Sequence, residues 1–452
     1  MDKKNTVFHT KQFSTMKKIY LVSFCFCLFM VVFAQTPSQD QNKRIMLYGA
    51  TAHIGNGELI ENSLIILENG KIFSVENASN VRIDISNSDY YDVIGKHIYP
   101  GFILPNTTLG LADIDAVRAT RDFDEVGELN PHIRTIIAYN TDSPVLPTIR
   151  TNGILVGQIT PKGGLISGTS SIVEFDAWNY EDALYKEDDG VHLNWPRSPW
   201  LFGDHKHTQE SKDYFSEDLN TLEKFFVNAK SYYLTQKPQL DITYQAMEGL
   251  FDGSKQLFIH VSSAKGIKQA VLFAQKMGIN KMVLVGAEES WRIADFIAEH
   301  ETSVVLNRVH RLPSHKNDPV DIAFKTPKIL QDAGVLYCLD YEGDMERMGS
   351  RNLPFTAGTA VAYGLTKEEA LMSITLNTAK ILGVDNRLGS LETGKDATLF
   401  VSDGDALDMM SNKITHAFIR GKHLDLSNHQ TDLYQKYKKK YDAELESENS
   451  AE

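Results

Sequence analysis

Cysteine is the residue type that this sequence has least of, with three among 452 residues. Cys25 and Cys27 lie in an apolar stretch near the N-terminus, so only Cys338 remains in the rest of the chain. One thiol cannot form an internal disulfide, and no cysteine after Ala34 could carry a lipid anchor. We therefore expect a fold that depends on its hydrophobic core, for which a hydrophobic fraction of 42% is ample.

The sequence is also short of positive charge. Its 46 Lys and Arg are outnumbered by 59 Asp and Glu, which leaves a formal net charge of −13 at pH 7. A surface this acidic repels phosphate backbones, because nucleic-acid binding depends on neutralising phosphates with Lys and Arg. Nucleic acid is therefore excluded as an expected partner.

Long hydrophobic runs are scarce as well. The apolar run at residues 19–33 follows Lys17 and Lys18 and ends in the small-residue pattern Val32-Phe33-Ala34. It is shorter than a membrane span of about 20 residues, so we expect no stable membrane anchor. A basic start, an apolar centre and a small-residue end are typical of a secretory signal peptide. We predict a signal peptide at residues 1–34 and an exported protein, periplasmic or secreted.

Short strands are predicted at both ends of the remaining chain. After a polar linker at residues 35–43, residues 44–97 contain apolar runs separated by turns such as Asn69-Gly70, a strong hairpin signal. Residues 389–424 again combine a turn with apolar strands. Neither segment is large enough to bury much surface alone. We expect the two to form one small β-sandwich, followed by a charged tail at residues 425–452.

Between these ends, at residues 98–388, predicted strands alternate with helical patterns, which indicates a parallel α/β barrel. A clear example is the strand that ends at His260, followed by an amphipathic helix at residues 265–277 and Gly278 as its C-cap. The segment 176–237 breaks the alternation, with several tryptophans and many charges. We interpret it as an excursion at the barrel mouth, either a substrate cover or a structural insertion.

Two stretches of this chain resemble segments of a known family. Residues 98–108 read Ile-Tyr-Pro-Gly-Phe-Ile-Leu-Pro-Asn-Thr-Thr, and residues 389–401 read Gly-Ser-Leu-Glu-Thr-Gly-Lys-Asp-Ala-Thr-Leu-Phe-Val. The first is similar to the opening barrel strand of the amidohydrolase superfamily, in its imidazolonepropionase-like branch, where Pro-Gly-Phe-Ile leads into Asp-x-His-x-His. The second resembles the closing Gly-Lys segment of that superfamily. The resemblance implies an α/β fold, namely a (β/α)8 TIM-like barrel plus a small β-sandwich built from the N- and C-terminal segments.

The resemblance also implies a metal site at the strand ends, and this chain departs from it. The two histidines of strand 1 are replaced by Asn106 and Thr108, and the histidine of strand 6 by Gly286. His260 on strand 5 and Asp340 on strand 8 match. Two of five ligands are too few for a tight divalent site, which normally takes three or four from protein. We expect one divalent metal (Zn, Mn or Fe) to be weakly bound or absent.

Other side chains could complete the site. Glu288 follows strand 6, and His310 follows the next strand, so a metal site using His260, Asp340 and these groups is conceivable. The plainer interpretation of each is a satisfied polar residue. For binding a ligand at the mouth, the sequence offers a further set of polar residues. These are Asn106, Thr108, Lys162, Arg308 and His310.

Two functions remain open. By the resemblance, the chain is a hydrolase of amide or cyclic amide C–N bonds, in which His260 binds metal or the developing oxyanion and Asp340 shuttles the proton. Alternatively, it is a pseudo-enzyme that acts as a binding protein or as the partner subunit of an active paralogue. Either way we expect a small-molecule or peptide-derived ligand, and a homo-oligomer or a hetero-oligomer with an amidohydrolase paralogue.

Overall fold

A computed structural model describes residues 36–81, 84–114, 116–196, 209–235, 239–343 and 345–449. The predicted signal peptide at residues 1–34 lies outside these ranges and stays a prediction. Within them, no helix is both long enough and apolar enough to cross a membrane.

The terminal segments form one hydrogen-bonded sheet of eight strands, with the order β16-β15-β14-β5-β1-β2-β3 and β4 beside β1. Strand β14, from the C-terminal segment, pairs antiparallel with β5, with Leu399 opposite Pro100. The β2–β3 turn places Asn69 and Gly70 at φ of 53° and 75°, as the hairpin signal predicted. Its strands are β1 Arg44–His53, β2 Leu59–Glu68, β3 Lys71–Asn77, β4 Ser88–Asp92, β5 His97–Pro100, β14 Leu399–Ser402, β15 Ile414–Ile419 and β16 Lys422–His423.

The middle of the chain forms a second eight-stranded sheet in which each strand pairs with the next in sequence. The first and last strands are joined through one short segment, because Leu339 N donates to Ser373 O and Ile103 N donates to Ile374 O. The result is a nearly closed barrel, which confirms the predicted fold class. Its strands are β6 Phe102–Thr107, β7 Ile154–Ile159, β8 Ile166–Glu174, β9 Leu184–Asn194, β10 Gln256–Val261, β11 Met282–Gly286, β12 Ser303–Leu306 and β13 Tyr337–Leu339.

The barrel differs from the expected parallel pattern at its third strand. β8 runs antiparallel to both β7 and β9. Only a few residues connect β7 to β8, which is too short for the crossover that a parallel neighbour requires. The connection is a glycine turn in which Gly163 and Gly164 both have positive φ.

The expected excursion at residues 176–237 needs correction. It contains β9, an internal barrel strand, and α2 Gln209–Leu234, one of the longest helices. The strand was missed because its first half carries Lys186, Glu187, Asp188 and Asp189, which hide the apolar run that follows. Arg134 Nε donates to Asp188 at 2.8 Å, and Asp189 is buried among hydrogen-bond donors, so these charges are matched in the fold.

Helices surround the barrel. α5 begins where Ser263 Oγ accepts from Gly266 N at 3.1 Å and ends at Gly278, whose φ is 82°, close to the predicted bounds. The charged tail forms a helix, α12. The helices are α1 Val145–Arg150, α2 Gln209–Leu234, α3 Ile242–Gln245, α4 Glu248–Asp252, α5 Ala264–Met277, α6 Ala294–Glu299, α7 Ile322–Asp332, α8 Glu346–Gly349, α9 Leu353–Ala362, α10 Lys367–Met372, α11 Leu376–Leu382 and α12 His429–Asn449.

Candidate functional site

Four polar residues from the ends of three strands, β6, β7 and β13, meet at the mouth of the barrel. We call them the strand-end cluster: Asn106, Lys162, Asp340 and Glu342. Asn106 Nδ2 donates to Asp340 Oδ2 at 2.9 Å and to Glu342 Oε2 at 3.1 Å. Lys162 Nζ donates to Asn106 Oδ1 at 3.1 Å and to Glu342 Oε1 at 2.8 Å. Carboxyl ends of barrel strands are where sites form in this architecture. The cluster is therefore the first candidate for function.

Asn106 is held in an uncommon backbone conformation. Its φ is 49°, in the left-handed region that asparagine tolerates better than most residues. Its N–H donates to Gln158 Oε1 at 3.2 Å rather than to the neighbouring main chain. This bend interrupts the β6–β7 register between Leu104 and Thr107. The bend lets the amide reach Asp340, which follows the last strand of the barrel.

The cluster contains more negative groups than positive ones. Burial opposes the charge of Lys162, but Glu342 and Glu346 together outweigh burial, and the pKa of Lys162 is raised. Burial and the neighbouring Glu342 raise the pKa of Asp340 well above its ordinary value. For Glu342 the same burial is outweighed, chiefly by Lys162, so its pKa is lowered. The electrostatics therefore favour an ion pair between Lys162 and Glu342, while Asp340 binds a proton more tightly than an ordinary aspartate does.

Thr108 lies next to this cluster but binds a different loop. Glu346 Oε1 accepts from Thr108 N at 2.8 Å and from Thr108 Oγ1 at 3.0 Å. Arg347 Nη1 donates to Thr108 Oγ1 at 2.9 Å. Both groups of Thr108 are thus used to hold the segment after β13 against the end of β6. Thr108, which stands where the family has its second histidine after the first barrel strand, therefore has a structural role.

A buried relay of hydrogen bonds leads away from His260. His192 Nδ1 lies 2.8 Å from His260 Nε2, and its Nε2 lies 2.8 Å from Ser170 Oγ. Ser170 Oγ donates to Asp189 Oδ1 at 2.7 Å, and Gln158 Nε2 donates to Asp189 Oδ2 at 2.8 Å. We call these residues the His260 relay. Gln158 also accepts from Asn106 N, which joins the relay to the strand-end cluster.

The relay fixes the protons on both histidines. Since the hydroxyl of Ser170 is donated to Asp189, its oxygen accepts from His192 Nε2–H. His192 Nδ1 is then an acceptor, so His260 Nε2 carries a proton and His260 Nδ1 a lone pair. Burial lowers the pKa of His260 to about 4 and that of His192 well below its ordinary value, which keeps both rings neutral.

A cavity of about 610 Å³ opens above these groups and is lined by Lys162, His260 and Glu342 among others. Its outer wall holds one ion pair and one contact between a histidine and a carboxylate. Arg311 Nη1 lies 3.6 Å from Glu288, and His315 Nε2 lies 2.6 Å from Glu289. Volumes of 300–1,000 Å³ are usual for small-molecule pockets. The cavity is thus large enough for a small ligand and offers it both polar and apolar contacts.

The structure brings some of the predicted residues together and leaves others apart. Asn106, Lys162 and Asp340 are in direct contact, and His260 lines the same cavity. Glu288 lines the outer wall, where Asn307 Nδ2 and Ser314 Oγ donate to it. Two predicted ligand-binding residues are directed elsewhere. His310 Nε2 bonds Thr359 Oγ1 at 2.7 Å, and Arg308 packs over the ring of Tyr341 at 5.6 Å.

Sequence reasoning missed several members of the site. His192, Ser170 and Asp189 were missed with β9 and the antiparallel β8, since neither strand was recognised at its full length. Glu342 was within reach of prediction, because it lies two residues after Asp340 in a loop at the strand end. Its carboxylate accepts from Lys162 and Asn106, a contact between residues far apart in sequence.

A metal ion does not fit these side chains as they stand. Across the described ranges, no group of three or more His, Cys, Asp and Glu side chains is arranged to hold one. The Asn106 amide and the Thr108 hydroxyl are hydrogen-bonded to other side chains of the protein, and Gly286 has no side chain. Asp340 Oδ1 accepts from Glu342 N and Oδ2 accepts from Asn106 Nδ2, so this side chain is bound on both oxygens to neighbouring protein groups.

Comparisons with known proteins agree with this architecture. A sequence model of the family described as "Amidohydrolase family" matches residues 233–424. An imidazolonepropionase from Syntrophobacter fumaroxidans (strain DSM 10017 / MPOB) is 45% identical over 56 residues. That match covers 12% of this chain and only 13% of the relative. The sequence comparison therefore concerns family and leaves activity open.

Solved structures extend the likeness over most of the chain. An amidohydrolase from Thermotoga maritima MSB8 has a TM-score of 0.73 and 22% identity, covering 84% of this chain and 99% of that chain. An adenosine deaminase from Xanthomonas campestris with bound zinc has a TM-score of 0.50 and 16% identity, covering 86% of this chain and 93% of that chain. At these identities the likeness shows the fold alone.

Proposed function

We propose that the chain is a pseudo-enzyme of the amidohydrolase superfamily, which binds a small polar ligand at the barrel mouth without metal-dependent hydrolysis. The match of residues 233–424 to that family and the likeness of the fold support this assignment. One observation carries this proposal. The residues at the strand-1 ligand positions, Asn106 and Thr108, are hydrogen-bonded to carboxylates and cations of the protein itself. Their side chains serve internal contacts, and neither is a good ligand for a transition metal.

Asp340 supports the same conclusion. A general base must have an oxygen within reach of the proton that it takes. Both oxygens of Asp340 already accept hydrogen bonds, from Asn106 and from the main chain of Glu342, and the residue is fully buried. In this arrangement Asp340 works as a fixed acceptor that holds Asn106 and the loop after β13.

The ligand that we propose is small, polar and close to neutral overall. The polar groups of the outer cavity wall already have partners, since Arg311 pairs with Glu288 and His315 Nε2 lies 2.6 Å from Glu289. A ligand with a large net charge would find no unpaired partner of opposite sign among these groups. Peptide-derived molecules and cyclic amides fit this description and the volume of about 610 Å³.

The second candidate is a hydrolase of amide or cyclic amide C–N bonds, and His260 is the observation that favours it. Its Nδ1 carries a lone pair, and the ring lines the cavity beside Lys162. A neutral imidazole with a free lone pair is suited to accept a proton from water. Turnover of a cyclic amide that is lost in Asp340→Asn and His260→Gln would favour this candidate over the binding protein.

Metal content separates the two proposals from metal-dependent catalysis. Protein purified without chelator, from medium supplemented with Zn, Mn and Fe, should contain well under one equivalent of each by mass spectrometry of the elements. Dialysis against a chelator should leave the melting temperature unchanged. One equivalent of any of these metals, removed by the chelator with a loss of stability, would contradict the proposed function.

Ligand binding is tested by filling the cavity. Ser262 lines it and is exposed, so Ser262→Phe adds a ring to the cavity with little cost to the core. Small amides, cyclic amides and dipeptides that raise the melting temperature of the wild-type protein should lose this effect in Ser262→Phe. The control is Ser254→Phe at an exposed serine that does not line the cavity, which should respond like wild type.

Export and assembly belong to the same proposal. We place the protein outside the cytoplasm, periplasmic or secreted, on the basis of the leader sequence, and propose a paralogue or a second copy as partner. When the chain is expressed with its leader in a bacterium that exports proteins, mass spectrometry of the intact protein should give the mass of a chain that begins at Gln35. Recovery of the full-length chain from the cytoplasm would contradict export.

A further inference from the structure

We propose that the ammonium group of Lys162 is the resident cation of this barrel: it replaces the metal ion of the superfamily among the strand ends and donates a hydrogen bond to a neutral carbonyl oxygen of the ligand. The proposal rests on the proposed function and adds to it a binding residue and the chemical class of the ligand group. It follows from how the Lys162 side chain lies relative to Asn106, Asp340 and His260, three positions at which the family resemblance implies metal ligands.

Lys162 contacts one of those positions directly and acts on two others. Its Nζ is 3.1 Å from Oδ1 of Asn106, the residue at the first strand-1 ligand position. The same Asn106 amide joins it to Asp340, which follows the last barrel strand, β13, and matches a ligand position of the family. The charge of Lys162 also acts on His260 of β10, another matching position, and contributes after burial to the lowered pKa of that ring. A single cation thus faces three of the five strand-end positions.

The local chemistry requires a cation at this point. Asp340, Glu342 and Glu346 are all at least largely buried, and carboxylates brought this close are stable only with a positive charge or with protons. In the superfamily a divalent metal would supply that charge. Here the β7–β8 glycine turn carries Lys162 to the mouth, where Glu342 Oε1 accepts from it at 2.8 Å.

One donor of Lys162 remains for a ligand. An ammonium group has three N–H bonds, and the described residues accept two of them, through Asn106 and Glu342. The side chain is 20% exposed and lines the cavity. The third N–H therefore has access to the cavity, on the wall that also holds His260.

The surrounding charges decide which kind of ligand oxygen accepts a hydrogen bond from this N–H group. Glu342 already balances the charge of Lys162, and Asp340 and Glu346 lie nearby. A carboxylate ligand at this donor would meet these acidic groups, and like charges at such distances repel strongly. The other cation that lines the cavity, Arg311, is already paired with Glu288. A neutral carbonyl oxygen accepts the same hydrogen bond without that repulsion.

The test is chemical rescue of a shortened lysine. Lys162→Ala removes the ammonium and leaves space in which a small alkylammonium ion can bind. We expect the variant to melt several degrees below wild type, and methylammonium chloride to restore part of that loss beyond the effect of sodium chloride at equal ionic strength. Lys186→Ala is the matched control, because Lys186 Nζ donates to the main-chain oxygen of Leu382 and does not line the cavity.

Two further variants keep the proposal falsifiable if Lys162→Ala does not fold. Lys162→Arg keeps the charge and Lys162→Met keeps only the length, so the arginine variant should be clearly the more stable of the two. A methionine variant as stable as wild type would overturn the proposal. So would a folded alanine variant on which methylammonium acts no differently from sodium. Stoichiometric metal in the wild-type protein would instead contradict the proposed function, so the two failures are distinguishable.

The ligand contact is measured separately. An amide that raises the melting temperature of wild type should do so with at least tenfold lower affinity in Lys162→Met, and with affinity closer to wild type in Lys162→Arg. Acetate and formate, as the smallest carboxylates, should give no specific shift in wild type. A carboxylate that binds more tightly than a neutral amide of the same size would overturn the assignment of a carbonyl group.

Discussion

Two clusters of buried charge in this barrel are built in different ways. At the mouth, the strand-end cluster has one cation, Lys162, for several acidic groups. At the junction with the terminal sheet, Glu174 of β8 lies 2.8 Å from Arg420 Nε and 3.8 Å from Lys422 Nζ. Asp396, close by, pairs with Arg387 and Lys71. We call this second group the junction cluster.

This difference indicates which of the two clusters is a candidate binding site. In the junction cluster the four cations outnumber the two carboxylates, and Arg387 and Arg420 also cover the ring of Tyr185 at 4.6 and 4.2 Å. That cluster joins two sheets. The strand-end cluster has fewer cations than acids and borders a cavity. Acidic groups short of cations beside a cavity indicate a candidate binding site, whereas carboxylates that are each paired with cations are typical of a structural joint.

The largest effect should come from breaking the junction cluster. Arg420→Met removes the nearest cation of Glu174, which is fully buried. Removing one partner of a buried pair costs about 3–5 kcal/mol, so the free energy of unfolding in urea should fall by about that much. Lys438→Met, at an exposed helix pair, is the control and should change stability by less than about 0.5 kcal/mol. A small loss in Arg420→Met would show that the junction is not balanced by its cations.

The next effect concerns the mouth. Asn106→Ala removes donors to Asp340 and Glu342 and places a β-carbon at a φ of 49°. Lost bonds to charged groups and the left-handed backbone should together cost about 2–4 kcal/mol in urea unfolding. Asn106→Gly removes the same bonds without the backbone strain, so it should be about 1 kcal/mol more stable than the alanine variant. Equal stabilities would mean that the bend in β6 is not under strain.

The stability of the junction cluster should depend on pH through Glu174. Burial raises the pKa of Glu174 to about 7, even though Arg420 and Lys422 lower it. The folded state therefore holds this proton more tightly than the unfolded state, whose pKa is near 4.5. Its contribution to stability is full below pH 4.5 and is lost as pH rises towards 7, by up to about 1.4 kcal/mol per pH unit.

Glu174→Gln isolates this contribution. The variant should lose stability less steeply than wild type between pH 4.5 and 7, as measured by calorimetry in buffers of equal ionic strength. The control is Glu187→Gln, which makes the same change at an exposed carboxylate. Parallel pH profiles for wild type and Glu174→Gln would show that Glu174 is ionised across this range.

The smallest effect on stability concerns the His260 relay. Ser170→Ala removes the hydroxyl between His192 and Asp189 and should cost about 1–2 kcal/mol in urea unfolding. Nitrogen NMR of labelled histidine should show His260 protonated at Nε2 in wild type and as a mixture of tautomers in the variant. Ser171→Ala, which removes one acceptor for Asp188 N, should leave the tautomer unchanged. A His260 that is protonated at Nδ1 in wild type would contradict the relay.

Much of the fold was predictable from local patterns, and the site was predictable only where it follows a strand. The Pro-Gly turn before β6, the Asn69-Gly70 hairpin and the capped helix α5 carry their signals within a few residues. His260 and Asp340 were found because an apolar strand precedes each of them. β9 was not found, since its buried charges are matched by partners such as Arg134 that are distant in sequence. His192 was missed with it.

The sequence by itself determined the alternation of strands and helices, the pairing of the terminal segments, and the loss of histidines at Asn106, Thr108 and Gly286. These are properties of residue type and spacing, which a chain carries before it folds. Only the tertiary structure decided that Lys162 lies against Asn106 and Glu342, and that His260 is oriented by a relay from Asp189. Such contacts join strand ends that are far apart in the chain, and their energies depend on burial, which exists only in the closed barrel.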